Sequence, residues 1–193
     1  GLDLNRGEIL FIVGGNGSGK STLMKVFTRL YEPESGGILW DDTSVESNNV
    51  TDYRTLFSSV FSDFHLFDRL YGLPEIEEKV VNDMLGDLDI AHKTQYRDGA
   101  FTNTNLSTGQ RKRLALAVAL LENRPILLLD ELGADQDPEF RKRFYNELIP
   151  GWKKEGRTLV IVSHEDQYFH VADRTIVLSD GQTAIQRQNG ATS

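Results

Sequence analysis

The sequence predicts an α/β fold, a mostly parallel sheet flanked by helices, on three observations. A glycine-rich turn stands between an apolar, β-prone run and the start of a helix. The run Pro125–Leu129 is apolar throughout, as a central parallel strand buried on both faces is, and Thr158–Val162 reads as another buried strand. Stripes of helical period separate those runs, which is the strand–helix alternation of a parallel sheet. The chain has 193 residues, enough for one domain with a proper core. Its net charge of −8 argues against a nucleic-acid surface spread over the whole domain. It contains no cysteine, which excludes disulfides and cysteine-ligated metals. Its longest apolar run, Leu114 to Leu121, is far too short to cross a bilayer.

Taken in order, Gly1-Leu2-Asp3-Leu4 alternates like a strand already under way, and Asn5-Arg6-Gly7 reads as a hairpin turn. A domain rarely starts on the second half of a hairpin, so further sequence is expected upstream. Glu8 to Val13 is the strand before the glycine-rich turn, and Ser21 to about Leu30 the helix after it, ended by Glu32-Pro33-Glu34-Ser35-Gly36-Gly37. Ile38–Trp40 is a short strand with a turn at Asp41-Asp42, followed by polar loop to about Asn49. Leu56 to Phe61 is a buried strand. Between Phe64 and Asn105 the texture becomes helical: Glu75 to Leu85 carries a stripe of Ile76, Val80, Val81, Met84 and Leu85, and Leu88 to Thr94 reads as a second short helix. Ser107 or Thr108 caps a helix through Glu122, with Leu114, Val118 and Leu121 facing the core. Pro125 to Leu129 is the next strand. Asp137-Pro138 supplies the N-cap and first position of a helix striped by Phe140, Phe144 and Leu148. Thr158–Val162 is another strand. Thr175–Leu178 and Gln182–Ile185 flank a hairpin signal at Asp180-Gly181, and the tail from Gln186 is expected to fray.

The chemistry concentrates in four places. Gly14-Gly15-Asn16-Gly17-Ser18-Gly19-Lys20-Ser21-Thr22 follows a strand and opens a helix. Glycines let backbone N–H groups curl around a phosphate chain, and the helix start adds positive potential. Lys20 would reach the β- and γ-phosphates and the Ser21 hydroxyl would ligate Mg²⁺. Asp130 and Glu131 end a buried strand, where α/β sheets bind ligands; Asp130 would hold Mg²⁺ directly or through water, and Glu131 would polarise the attacking water. His164 follows Val162-Ser163 at the end of another strand and would donate to the γ-phosphate. Leu106-Ser107-Thr108-Gly109-Gln110 reads as an ordinary helix cap or as a second anion site. Arg111-Lys112-Arg113 reads as a solvated or subunit-facing patch rather than a nucleic-acid site.

With these pieces in order, the whole chain resembles the ATPase domain of ATP-binding cassette (ABC) transporters, a P-loop NTPase. The resemblance implies that Lys20 and Ser21 belong to Walker A, Asp130 and Glu131 to Walker B and the catalytic base, His164 to the switch, and Asp137 to the D-loop. Leu106, Ser107, Thr108, Gly109 and Gln110 look like the signature Leu-Ser-Gly-Gly-Gln, with Thr108 replacing the first glycine. It also implies ATP and Mg²⁺ as ligands, and a head-to-tail dimer in which Ser107 and Gly109 close over the partner subunit's ATP. A helical subdomain over about 64–122 would interrupt a RecA-like core that carries a small β part near its N-terminus, and would dock on a membrane domain fused upstream. Phe57 to Asp68 and Ala134 to Pro138 resemble the cyclic-peptide and siderophore-peptide exporters, including those of microcins and pyoverdine precursors. A protein of that kind would sit at the cytoplasmic face of a bacterial inner membrane. Two departures stand out: Ser62 and Asp63 where most cassettes carry the Q-loop glutamine, and Ala134-Asp135-Gln136-Asp137 where most read Ser-Ala-Leu-Asp. The aromatic residue that the family stacks on adenine would lie upstream of Gly1, so base contacts are not assignable to residues here. The different-class alternative is a soluble cassette ATPase acting on ribosomes or DNA, which would predict a second cassette, a long coiled coil or a basic arm.

Overall fold

The computed structural model describes residues 2–179 and 181–188. β1 (Ile9–Gly14) runs into the glycine-rich loop and α1 (Lys20–Phe27). β2 (Leu39–Trp40) and β3 (Thr43–Ser44) form a small hairpin. Asp41 and Asp42, both with φ positive (46° and 66°), are its two turn residues, the geometry that matches strand twist. α2 (Val50–Arg54) leads to β4 (Phe57–Val60). Then come α3 (Glu78–Asp87), a second hairpin of β5 (Tyr96–Arg97) and β6 (Ala100–Phe101), and α4 (Thr108–Leu121). β7 (Ile126–Asp130) is followed by α5 (Pro138–Arg143), a π-helical segment Phe144–Leu148 and α6 (Ile149–Lys154). β8 (Thr158–Val162), a 3₁₀ turn Asp166–Val171, β9 (Arg174–Ser179) and β10 (Gln182–Gln188) complete the order.

Six strands form one sheet in the order β10-β9-β1-β8-β7-β4, parallel except for β10. The expected α/β architecture is therefore present. Alternate side chains of β1 enter different cores: Ile9, Phe11 and Val13 pack with α3, α4 and α5, whereas Leu10 and Ile12 pack with Met24 of α1. That double burial is why the strand is apolar without alternation. In register, Ile12 and Asp130 both lie beside Val162. The ends of β1, β7 and β8 thus share one edge, and the loops that leave them meet there.

Several elements differ from the sequence reading. Residues 2–4 are not a strand; Asp3 instead takes the Arg174 guanidinium. Leu88 to Thr94 is a run of turns, because Asp89 adopts a left-handed φ of 55° that breaks the helix. The block read as purely helical contains the β5–β6 hairpin around Asp98-Gly99. On α4 Leu114 is buried as expected, together with Leu116, Ala117, Ala119 and Leu120, whereas Val118 and Leu121 are only partly covered. Strand β10 continues through Gln188, beyond the expected fraying point. Asp180 of the expected hairpin turn lies outside the described residues, although β9 and β10 pair as a hairpin would.

Candidate nucleotide site

Gly14 ends β1 with φ +154°, and a Cβ there would stand 2.4 Å from the Leu178 carbonyl oxygen and 2.6 Å from Ser18 Oγ. Only glycine fits. Gly19 takes φ +94° as the N-cap of α1, so the chain turns from loop to helix without a side-chain clash. The loop closes on itself through Ser18 N–H to Gly15 O (3.2 Å) and rests on the β9–β10 turn through Gly181 N–H to Ser18 O (3.1 Å). Lys20 is only 5% exposed, and its ammonium donates to Gly14 O (3.0 Å) and Gly15 O (2.9 Å). Two of its three donors hold the loop, which leaves one for a ligand. Gly15, Asn16, Gly17 and Thr22 are exposed, and Ser21 is half-buried in the first turn of α1.

Two strands over, at the end of β7, Asp130 is 1% exposed; its Oδ2 accepts from the Ser62 N–H at 3.3 Å and its Oδ1 has no partner. A buried carboxylate oxygen without a donor is costly unless a cation or donor completes it. Together with the glycine cradle and the unpartnered, buried Ser18 Oγ, it fits a phosphate chain and a hard cation. No cluster of three His, Cys, Asp or Glu suited to a metal occurs among the described residues. A P-loop cation needs none, because serine, one carboxylate and phosphate oxygens suffice.

Glu131 follows in a left-handed conformation (φ 53°), and its Oε1 meets His164 Nε2 at 3.0 Å. Two residues read separately from the sequence therefore touch. Ser163, before His164, is buried and bonds the Tyr145 hydroxyl at 2.9 Å; burial pushes that phenol's pKa up to about 12. Tyr145 also presses on Gly133, where a Cβ would lie 2.5 Å from its hydroxyl oxygen. Arg141 donates to Gly133 O and Gln136 O and pairs with Glu165 at 3.1 Å, joining the loops after β7 and β8. Neither Tyr145 nor Arg141 stood out in the sequence, since an aromatic and a cation on a helix carry no local signal.

Ser107 makes a reciprocal capping box with Gln110, so the helix-cap reading of this stretch holds. Leu106 is partly buried, and Ser107 and Thr108 are exposed. Gly109 packs so closely on the loop after β7 that a Cβ would lie 2.4 Å from Asp135 O. Ser107, Gly109, Gln110, Arg113, Asp135 and Asp137 are among the residues lining a cavity of about 370 Å³ that no phosphate-loop residue lines. The structure does not bring this stretch to the phosphate loop of its own chain. Of the two readings of Arg111-Lys112-Arg113, a solvated or a subunit-facing patch, the solvated one is overturned for two of the three: Lys112 and Arg113 are buried, and only Arg111 is exposed. Arg113 bonds Gln136 and Asp137 and lies 3.7 Å over the Phe140 ring. Asp137 caps α5 through the Phe140 N–H (2.9 Å), which with the Arg113 guanidinium holds its carboxyl below the usual range. Asp63 turns to Lys25 of α1 at 3.0 Å, away from the Ser62–Asp130 contact.

A family profile described as ABC transporter matches residues 1–134. The chain belongs to the ABC transporter family. It is 52% identical over 184 residues to the ATP-binding protein SyrD of Pseudomonas syringae pv. syringae, a match covering 93% of this chain and 32% of that protein. It is also 31% identical to the ATP-dependent lipid A-core flippase of Aliivibrio fischeri, covering 98% and 34%. The chain thus spans about a third of the length of these relatives. Among solved structures, the ABC cassette MJ0796 in a dimeric post-hydrolysis state with ADP and Pi superposes with a TM-score of 0.82 at 25% identity, covering 98% of this chain and 89% of that one. A bacterial Atm1-family ABC exporter with ATP bound gives 0.84 at 26%, covering 97% and 35%. This ABC domain is accordingly an ATP-binding ATPase with the P-loop NTPase fold. No helix among the described residues is long and apolar enough to cross a membrane.

Proposed function

We propose that this domain hydrolyses ATP to drive an exporter for a peptide or siderophore-type cargo at a bacterial inner membrane. Lys20 and the loop amides bind the β- and γ-phosphates, with the glycines allowing close approach. Ser21 and Asp130 hold Mg²⁺, which when bound neutralises charge on the phosphate oxygens. Glu131 takes the proton of the attacking water. His164 holds the Glu131 carboxylate at the sheet edge through Nε2 and, once ATP is bound, turns that N–H to the γ-phosphate instead. Ser62 completes the Asp130 shell through its N–H, and Asp63 faces the docking side.

Two copies pair head to tail, so that Leu106 to Gln110 of each closes over the ATP of the other; the cavity beside Ser107, distant in lining from the phosphate loop, supports that arrangement. Asp137 and its neighbours lie on the same cavity. The segment about 64–122 serves as the helical subdomain and meets a membrane domain fused upstream. The cargo class rests on the likeness of Phe57–Asp68 and Ala134–Pro138 to peptide exporters. A soluble ATPase acting on ribosomes or DNA has no observation in its favour.

The observation that carries the mechanism is the meeting of Glu131 and His164 beside the unpartnered Asp130 oxygen. Its test is Glu131→Gln. ATP binding is expected to persist while turnover falls about 10²–10⁴-fold, with an ATP-bound dimer accumulating in size measurements. Near-normal hydrolysis would remove Glu131 from the role of base.

A further inference from the structure

We propose that Lys112 is a positioning residue for Glu131, an inference that rests on the reading of Glu131 as the base. Lys112 lies in the first turns of α4 and is 6% exposed. Its ammonium donates to the Glu131 main-chain carbonyl at 2.7 Å and pairs with Asp135 Oδ2 at 2.6 Å. The same carbonyl accepts from the Ala134 N–H at 3.3 Å, so both of its lone pairs are engaged.

Glu131 is the one residue of the sheet edge whose backbone needs such fixing. It is not glycine, yet it holds φ at 53°, a conformation that persists in a side-chain-bearing residue when the surroundings over-determine it. The Val162 carbonyl takes its N–H at 3.1 Å, and Lys112 takes its carbonyl. Those two bonds pin the peptide groups on either side of the Glu131 Cα and so aim its side chain at His164. A neutral donor in place of the ammonium would give a weaker bond, since a charged donor roughly doubles it.

Burying an ammonium for a structural contact alone is costly, and Asp135 offsets that cost. The Asp135 carboxylate is nearly half exposed, so it steadies Lys112 from the loop's outer side while remaining hydrated. Gly109 has no Cβ where Asp135 O approaches, which lets α4 sit close enough for Lys112 to reach. The first turns of α4, which begin at Ser107, are thereby joined by one side chain to the peptide that carries Glu131.

The test is made in the full-length protein. Lys112→Met keeps the stem and bulk of the side chain and removes the ammonium; the Asp135 carboxylate it leaves behind can turn to water. The expected result is kcat lowered about 10- to 100-fold with the KM for ATP within about twofold, as misplacement of a catalytic group predicts. Asp135→Asn is expected to lower kcat by less, and the double variant to be no slower than Lys112→Met alone. In a Glu131→Gln background, Lys112→Met is expected to lower kcat no further. A folded Lys112→Met protein with the parent's kcat overturns the proposal, as does any result in which KM carries the change or the Glu131→Gln background shows an additional loss. If Lys112→Met fails to fold, Asp135→Asn decides: unchanged kcat overturns the proposal, lowered kcat at constant KM supports it. Near-normal turnover in Glu131→Gln alone would sink the base itself, whereas an inactive Glu131→Gln with a normal Lys112→Met would sink only the positioning role.

Discussion

The edge formed by β1, β7 and β8 and the segment from Phe61 to Glu77 adjoin at Ser62, yet they are built in opposite ways. At the edge, Lys20, Asp130 and Ser163 are buried, and Arg141 ties the loop after β7 to the loop after β8 while Tyr145 bonds Ser163. The segment carries Phe67 at 55% and Tyr71 at 64% exposure, in an edge-to-face aromatic cluster with His65. It is moored by the exposed Lys25–Asp63 pair and by the Phe101 N–H on Asp68 O. Phe64, Leu66 and Leu70 reach the core only in part. Buried, over-determined contacts hold atoms to the tolerance that phosphate chemistry needs. Exposed contacts with few ties leave a surface able to adapt to something else. On the proposed function, the difference separates where ATP is turned over from where the result is felt.

Three measurements can break or sharpen that contrast. The largest effect is expected from Ser107→Arg, which abolishes ATPase activity while nucleotide affinity of the monomer stays nearly intact. The bulky cation blocks a second subunit but touches no residue of its own phosphate loop. Equal loss of binding and turnover would reduce Ser107 to a helix cap. A middle effect is expected from Asp137→Ala, which removes the α5 cap and an Arg113 partner and costs about 1 kcal/mol of stability in chemical denaturation. Because the Phe140 N–H and Arg113 hold the Asp137 carboxyl below its ordinary value near 3.8, its contribution is full above that value. It is lost as pH falls through the lower, folded-state value. Wild type and variant should therefore converge in stability toward acid; a gap that stays constant to the lowest accessible pH would exclude the linkage. The smallest effect is expected from Asp63→Asn, with ATPase activity of the isolated domain within a few-fold and, in the full-length protein, transport uncoupled from it. A raised Mg²⁺ requirement after Asp63→Asn, but not after Ser62→Ala, would move Asp63 into the metal shell. The charged pair itself carries little weight, since the Asp63 carboxylate is largely exposed and solvent screens it.

What the sequence disclosed, and what it hid, follows the range of the interactions. The phosphate loop was legible because strand, glycines and helix are contiguous, and Gly14, Gly17 and Gly19 each take a positive φ. Thr158–Val162 appears as β8 with the expected bounds because its four aliphatic residues are buried on both faces and polar residues, Arg157 and Ser163, flank the run. The β5–β6 hairpin was missed although Asp98-Gly99 is an ordinary turn signal, since its strands are two residues each. α2 was missed because a five-residue helix shows little period. Lys112 was misread as part of a basic patch; its partners, the Glu131 carbonyl and Asp135, lie about twenty residues away, and no local pattern reports them. The departure at Asp135 from the family's usual sequence was visible, but only the structure joins it to Lys112.

The place of β1 in the sheet has a consequence for synthesis on the ribosome. It is hydrogen-bonded to β8 on one side and β9 on the other, and the phosphate loop leans on Gly181. β1 therefore waits for β8 and β9, which follow it by well over a hundred residues. At about 5–20 residues per second, roughly ten to thirty seconds separate the emergence of the glycine loop from that of the strands that seat it. Through that interval a six-residue apolar strand has neither neighbour. The nascent chain is thus most open to chaperones, and to wrong pairing, at its most conspicuous motif, and ATP can help complete the fold only when translation of the domain is nearly finished.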